Sequence, residues 1–270
     1  MTTWQRIGAC VAAGLWLAGC ATPPGGTGAV GAGDSREVVT DSDQTDADRR
    51  ARVRLELASA YFSRGQTNTA LDELKLALQV KPDLAEAYNL RGLIYAQLGD
   101  ERFAEESFRR ALQLNPRDGD TMHNFGWLLC QQRRYADADA QFEQALVQPQ
   151  YPNGPRTLMA QGVCHARGGQ LDRAEAALVR SYELDPANPV TAINLSEVLF
   201  RRGQFERARF YVRRANSDNE VVNAQTLWLA AKIEHKLGNS GGVAEFGKQL
   251  RDRFPQSREA VALERRAFDE

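Results

Sequence analysis

A spacing of 34 residues constrains this chain more than any other feature. With position one set at residues 51, 85, 119, 155, 189 and 223, position eight reads Ala58, Gly92, Gly126, Gly162, Ser196 and Ala230. Position twenty reads Ala70, Ala104, Ala138, Ala174, Ala208 and Gly242, and position twenty-four reads Leu74, Phe108, Phe142, Leu178, Val212 and Phe246. Two small residues and one bulky apolar residue, held at fixed offsets through six copies, describe one packing unit used repeatedly. The small residues let two helices approach closely and the bulky one fills the space beside the contact. Turn glycines recur at Gly65, Gly99, Gly169 and Gly203. Pro82, Pro116 and Pro186 stand where each second helix must stop, because proline lacks the amide that a helix interior needs.

A helix-turn-helix unit of this length and pattern resembles the tetratricopeptide repeat. The resemblance implies an all-α fold, a right-handed superhelical solenoid of six repeats. The one break in period is two extra residues around Pro149-Gln150-Tyr151-Pro152-Asn153-Gly154-Pro155, which mark a longer loop and not a new domain. The last two units fit least well, as terminal units of a solenoid do. Residues Gln256 to Phe268 carry Val261, Leu263 and Phe268 at amphipathic spacing and are expected to form a C-terminal capping helix. The expected boundaries are 46–255 for the repeats and 256–270 for the cap. Thr45-Asp46-Ala47-Asp48 predicts a capping box at the start of the first helix.

The chain opens differently. Residues 1–19 have Arg6, an apolar run from Ile7 to Leu17 and the ending Leu17-Ala18-Gly19-Cys20. That run is too short for a membrane span and has the layout of a secretory signal. The ending resembles a bacterial lipobox, which implies cleavage before Cys20 and acylation of its thiol and new amino group. Ala21 in place of Asp favours the outer membrane, periplasmic face, as the address. Residues 20–45 are rich in Gly, Pro, Thr, Ser and Asp and predict a flexible tether with a reach of roughly 25–30 Å.

A net charge of −1 gives no global reason to expect nucleic acid as a partner. The arginine doublets Arg49-Arg50, Arg133-Arg134, Arg201-Arg202, Arg213-Arg214 and Arg265-Arg266 are interspersed with acids and read as solvated helix faces and helix ends. His123, His165 and His235 fall in three different repeats without the spacing of metal ligands. His165, at position eleven, reads as a packing residue. No nucleophile elbow, metalloprotease helix or phosphate-cradling loop is present. The expectation is a protein with no catalytic residues, metal, cofactor or small-molecule substrate.

Cys130 and Cys164 lie in the first helices of adjacent repeats, which are expected side by side. Export would favour a disulfide between them, and two buried thiols are the other outcome. First helices line the concave face of such a stack. In this fold family, positions two, five, nine and twelve generally face that groove. Here they include Leu55, Ser59 and Phe62, then Asn89, Leu93 and Ala96, then His123, Trp127 and Cys130. Apolar groups there suit a peptide segment of a partner protein, and the first three repeats are the expected binding region.

The third repeat narrows the family. His123-Asn124-Phe125-Gly126-Trp127-Leu128-Leu129-Cys130, Pro149-Gln150-Tyr151-Pro152 and Gly162-Val163-Cys164 give Gly-Trp-x-x-Cys, Pro-x-Tyr-Pro and Gly-x-Cys elements. With the lipobox, these resemble the type IV pilus biogenesis/stability lipoproteins of the PilF/PilW family. Arg91 before Gly92 and His123 in place of the usual Asn depart from that pattern. The resemblance implies a pilotin that binds the secretin subunit of the pilus machine and promotes its outer-membrane localisation and multimerisation, or stabilises pilus fibres. A repeat scaffold of outer-membrane protein assembly and a cell-wall enzyme adaptor are the other classes open to such a chain.

Overall fold

The computed structural model describes residues 45–218 and 220–269, which contain thirteen α-helices and no strand. The leader, Cys20 and most of the tether lie outside the described residues. Six hairpins follow in order: α1 (Asp46–Ser63) with α2 (Thr67–Val80), α3 (Ala85–Leu98) with α4 (Glu101–Leu114), and α5 (Gly119–Gln131) with α6 (Tyr135–Leu146). Then come α7 (Gly154–Arg167) with α8 (Leu171–Leu184), α9 (Pro189–Arg201) with α10 (Phe205–Ala215), and α11 (Ala224–Lys236) with α12 (Ser240–Arg253). A short α13 (Arg258–Glu264) ends the array. Each hairpin packs on the next, which makes an all-α repeat fold.

The hairpins close where the sequence period places its small residues. A Cβ added at Gly92 would lie 2.6 Å from the Phe108 ring, and one at Gly126 would lie 2.8 Å from Phe142. At Gly162 it would meet Leu178 at 2.6 Å. In the fifth repeat Ser196 takes this place and donates its hydroxyl to the Ala208 carbonyl at 2.8 Å. Phe108, Phe142 and Leu178 are fully buried, each worth about 1.5–3 kcal/mol of apolar transfer. Gly65, Gly99, Gly169, Gly203 and Gly238 turn the hairpins at φ between 70° and 78°. The third repeat has no glycine there, and Arg133 adopts φ 62° instead, at a cost of about 1–2 kcal/mol.

Helix ends follow local chemistry. Thr45 caps α1 by accepting from the Asp48 amide at 3.1 Å, while Asp48 accepts from the Thr45 amide at 3.2 Å. The extra residues before α7 form the loop 147–153, and a second long loop, 216–223, arises because α10 stops at Ala215. At the far end α13 packs on α11 and α12 through Ala260 and Leu263. Two details of the cap differ from the amphipathic pattern. Val261 is 41 % exposed, and Phe268 lies beyond the helix, stacked on Trp228 at 5.1 Å and His235 at 4.2 Å. The seven-residue helix is too short to present a full stripe, so the following turn brings in the aromatic ring.

Three arginines of the doublets pair with acids of a neighbouring hairpin and are not simply solvated. Arg134 bridges to Glu105 at 2.9 Å, Arg202 pairs with Glu175 and Asp172, and Arg213 binds Glu234 at 2.6 Å. These pairs join neighbouring hairpins.

Candidate partner-binding surfaces

Two regions could receive a partner in the first half of the array: the concave face and the leading end. On the concave face, Ser59 is exposed, while Leu55, Phe62, Asn89, Leu93 and Trp127 are half-buried. Leu55 and Phe62 lean on the cluster around Ala58 and Leu74, and Leu93 and Trp127 lean on the one around Phe108 and Phe142. Asn89 accepts from the Asn124 amide of the next first helix at 3.1 Å. The Arg167 guanidinium lies 4.9 Å from the Trp127 ring, so the indole is sandwiched between core and cation.

His123 does not line the groove. It is 5 % exposed, and its Nδ1 is 2.9 Å from the Thr157 hydroxyl, which in turn is 2.9 Å from the Tyr151 hydroxyl. Burial, helped by nearby Arg156, pushes its pKa down to about 4, so the ring is neutral at pH 7. Cys130 is also withdrawn, 1 % exposed and joined to Cys164 in a disulfide with Cα atoms 5.7 Å apart.

These two departures share one cause. α5 and α7 are fastened at both ends across the long loop. At one end Tyr151 folds back over Gly119, where a Cβ would come within 2.7 Å of its ring, and Asn153 donates to Asp120 at 2.7 Å. At the other end stands the disulfide. The Gly-Trp-x-x-Cys, Pro-x-Tyr-Pro and Gly-x-Cys elements are therefore parts of one joint between the third and fourth repeats. His165 lies in the same joint, 5 % exposed, with Nε2 3.1 Å from Asp139 and Nδ1 3.0 Å from Gln170. Burial lowers its pKa against the pull of Asp139.

The leading end is the surface that position counting missed. Val53 and Leu57 of α1 and Leu76 and Val80 of α2 are 55 %, 39 %, 40 % and 36 % exposed. They line one shallow hollow of about 540 Å³ with Arg49, Arg50 and Arg54. Among the described residues no element packs against it. In most later repeats the positions equivalent to Val53 and Leu57 are buried under the preceding hairpin, as at Ala87, Phe125 and Leu195, whereas those equivalent to Leu76 and Val80, such as Arg110 and Leu184, stay open.

Among the described residues no group of three or more His, Cys, Asp or Glu side chains is placed to hold a metal. No described helix is long and apolar enough to cross a membrane.

Known proteins agree with this architecture. Family models described as tetratricopeptide repeats match residues 58–99, 85–118, 123–189 and 165–233. The type IV pilus assembly protein PilF of Pseudomonas aeruginosa is 27% identical over 234 residues, covering 86% of this chain and 91% of that protein. The crystal structure of PilW, described as a widely conserved type IV pilus biogenesis factor, is 33% identical with a TM-score of 0.74. That match covers 79% of this chain and 97% of PilW. A structure of Pseudomonas aeruginosa PilF shares the fold, with a TM-score of 0.75 at 23% identity over 82% of this chain and 100% of that one.

Proposed function

The chain belongs to the PilF/PilW family of tetratricopeptide-repeat proteins of type IV pilus biogenesis, and from that premise we propose that it is a pilotin. In this role it binds the secretin subunit of the pilus machine, is anchored to the periplasmic face of the outer membrane by lipid on Cys20, and promotes secretin multimerisation there. One observation carries the secretin-binding part: Val53, Leu57, Leu76 and Val80 lie side by side on the leading end of the array, rimmed by arginines. An apolar patch with a polar rim is what a partner segment needs. The lipobox ending Leu17-Ala18-Gly19-Cys20 supports the address.

The test is a deletion strain in which the secretin is run on a gel without full denaturation. The role requires loss of the multimer with monomer still present and restoration by the wild-type chain. Cys20→Ala should restore it only partly, which separates binding from address. A multimer that persists in the deletion strain would remove the pilotin role and direct attention to pilus-fibre stability.

A further inference from the structure

Arg91 puts a charge at a position that the other five repeats keep uncharged. It is the seventh residue of its unit, where the others carry Leu57, Phe125, Gln161, Leu195 and Leu229. The side chain is half-buried on α3 and, among the described residues, has no carboxylate at ion-pair distance. A cation partly withdrawn from water without a counter-ion costs stability. Packing does not require it, since leucine takes the same place in three other repeats. Its guanidinium is nevertheless held firmly. Nε donates to the Ser107 hydroxyl of α4 at 2.9 Å, and Ser107, 0 % exposed, donates in turn to the Phe103 carbonyl at 2.6 Å. The guanidinium carbon lies 4.8 Å from the Tyr88 ring centroid, and that ring is fixed by its hydroxyl, which donates to the Pro82 carbonyl at 3.1 Å.

A second guanidinium faces the same ring. Arg110 of α4 lies 5.8 Å from the Tyr88 centroid, and among the described residues it donates only to Gln113, at 3.4 Å. Tyr88, Arg91 and Arg110 line one hollow of about 460 Å³ together with Glu106, Arg109 and Gln113. Arg109 is already neutralised, since it donates to Glu105 through Nε at 3.1 Å and Nη2 at 2.6 Å. Among the described residues Glu106 pairs with no cation. Arg91 and Arg110 set against Glu106 leave the hollow with one unbalanced positive charge. Its residues stand at positions four and seven of α3 and between positions twenty-two and twenty-nine on α4, none of them a groove position.

We propose that this hollow is a carboxylate site, filled by one acidic side chain of a protein partner. The terminal nitrogens of Arg91 are uncommitted, and a guanidinium fork matches the two oxygens of a carboxylate. Ser107 and Tyr88 hold that fork in place beforehand, so little freedom is lost when the anion arrives. A monoanion balances the hollow's single excess charge. A dianion would leave negative charge beside Glu106. An extended polyanion fits worse still. On α4, Glu101, Glu105 and Glu106 are interspersed with Arg102, Arg109 and Arg110, so a sheet of lipid phosphates or a nucleic-acid backbone would meet as many carboxylates as guanidiniums. The hollow is larger than a carboxylate group and has room for the stem that carries it. This site shares no residue with the Val53–Val80 face and stands whether or not the partner there is a secretin.

The test follows the Nε–H resonances of Arg91 and Arg110 by NMR in the full chain at constant ionic strength. The probe is a blocked alanyl-glutamyl-alanine tripeptide, with its glutamine counterpart as control. The glutamyl peptide should give saturating shifts with a Kd of about 1–10 mM, the strength of one carboxylate on a guanidinium pair, and the glutaminyl peptide none. Arg91→Leu and Arg110→Leu should each weaken binding about tenfold, the scale of one charge pair, whereas Arg109→Leu should change it by less than about twofold. Glu106→Gln should tighten it, because a like charge is removed. Melting curves should show Arg91→Leu as stable as wild type, and Arg110, exposed, gives the same binding test free of any packing change. Shifts that never saturate, or equal shifts with the two peptides, would overturn the proposal, as would an Arg109→Leu loss as large as that of Arg91→Leu. Inorganic phosphate or phosphatidylglycerol vesicles binding more tightly than the peptide would replace the carboxylate with a phosphate. Acetate binding as tightly as the peptide would replace the protein side chain with a free acid.

Discussion

The Cα of Gly92 faces the Phe108 ring so closely that a single added carbon would come within 2.6 Å of Cε1. The contact crosses one hairpin, from α3 to α4, and has counterparts at Gly126–Phe142 and Gly162–Leu178. Gly92→Ala gains about 1 kcal/mol of helix propensity. It must also displace a fully buried ring, which costs about 1–3 kcal/mol. The expected result is a net loss of stability, read as a lower urea midpoint. Gly154→Ala is the control, because nothing lies within 4 Å of that position. Equal midpoints for the two variants would mean that the hairpin yields without strain.

The repeat frame was readable from sequence because positions eight, twenty and twenty-four act within one hairpin. Gly92 and Phe108 meet whatever the neighbouring repeats do. Groove positions depend on what lies beyond the hairpin, and at His123 and Cys130 the averaged rule does not hold. His123 occupies a groove position by counting, yet the Tyr151 loop and Thr157 of the next repeat bury it. Leu57 and Val53 belong to a face that is buried in most later repeats and exposed in the first, where among the described residues no preceding hairpin covers it.

The buried imidazole predicts a pH dependence with a definite sign. His123 has a folded pKa of about 4 against an ordinary value of 6.5. Between those values the unfolded chain binds more protons than the folded one, so stability rises with pH. This contribution is fully present above about pH 6.5, is lost as pH falls toward 4, and amounts to at most about 3 kcal/mol. His165, also shifted down, acts in the same direction. His123→Asn keeps a group able to bond Thr157 and removes the titration. The drop in melting temperature between pH 7 and pH 5 should therefore be smaller in the variant than in wild type. An unchanged drop would assign the acid sensitivity elsewhere.

The Cys130–Cys164 bond closes a loop across the joint between the third and fourth repeats, with a sequence separation of 34 residues. Constraint of the unfolded chain by a loop of that size is worth about 2–4 kcal/mol. Reduction, or replacement of both cysteines by serine, should lower the thermal midpoint of the chain. The bonded atoms are almost fully buried, so reduction should be slow in the folded state and fast once denaturant opens the joint. Identical melting with and without reductant would show that the polar end of the joint, at Tyr151 and Asn153, holds it alone.

Glu234 is 1 % exposed, and its carboxylate is held by Arg213 at 2.6 Å and by the Asn239 amide at 2.7 Å. Removing the arginine leaves a buried charge short of its counter-ion, which costs about 3–5 kcal/mol. Arg213→Met should loosen the last hairpin, visible as faster amide exchange in α11 and α12. Glu234→Gln in the same chain should recover much of the loss, because it removes the charge that lacked a partner. A double variant no more stable than Arg213→Met would indicate that Arg213 acts through its contact with Phe246, 4.9 Å away, rather than through the ion pair.

Leu57 offers the sharpest test of the proposed partner contact at the leading repeat. At 39 % exposure it already faces solvent, so Leu57→Asp should change stability by no more than about 1 kcal/mol. The substitution does place a carboxylate in the middle of the apolar hollow, where a partner's apolar group would have to desolvate it. That cost is about 1–3 kcal/mol, or roughly a ten- to hundredfold loss of affinity. In the deletion strain, Leu57→Asp should fail to restore the secretin multimer although the chain is present at wild-type level. Trp127→Ala changes the concave face while leaving that hollow intact, so it should still restore the multimer if the leading end is the contact. Restoration by Leu57→Asp together with failure of Trp127→Ala would move the contact from the end of the array to its groove.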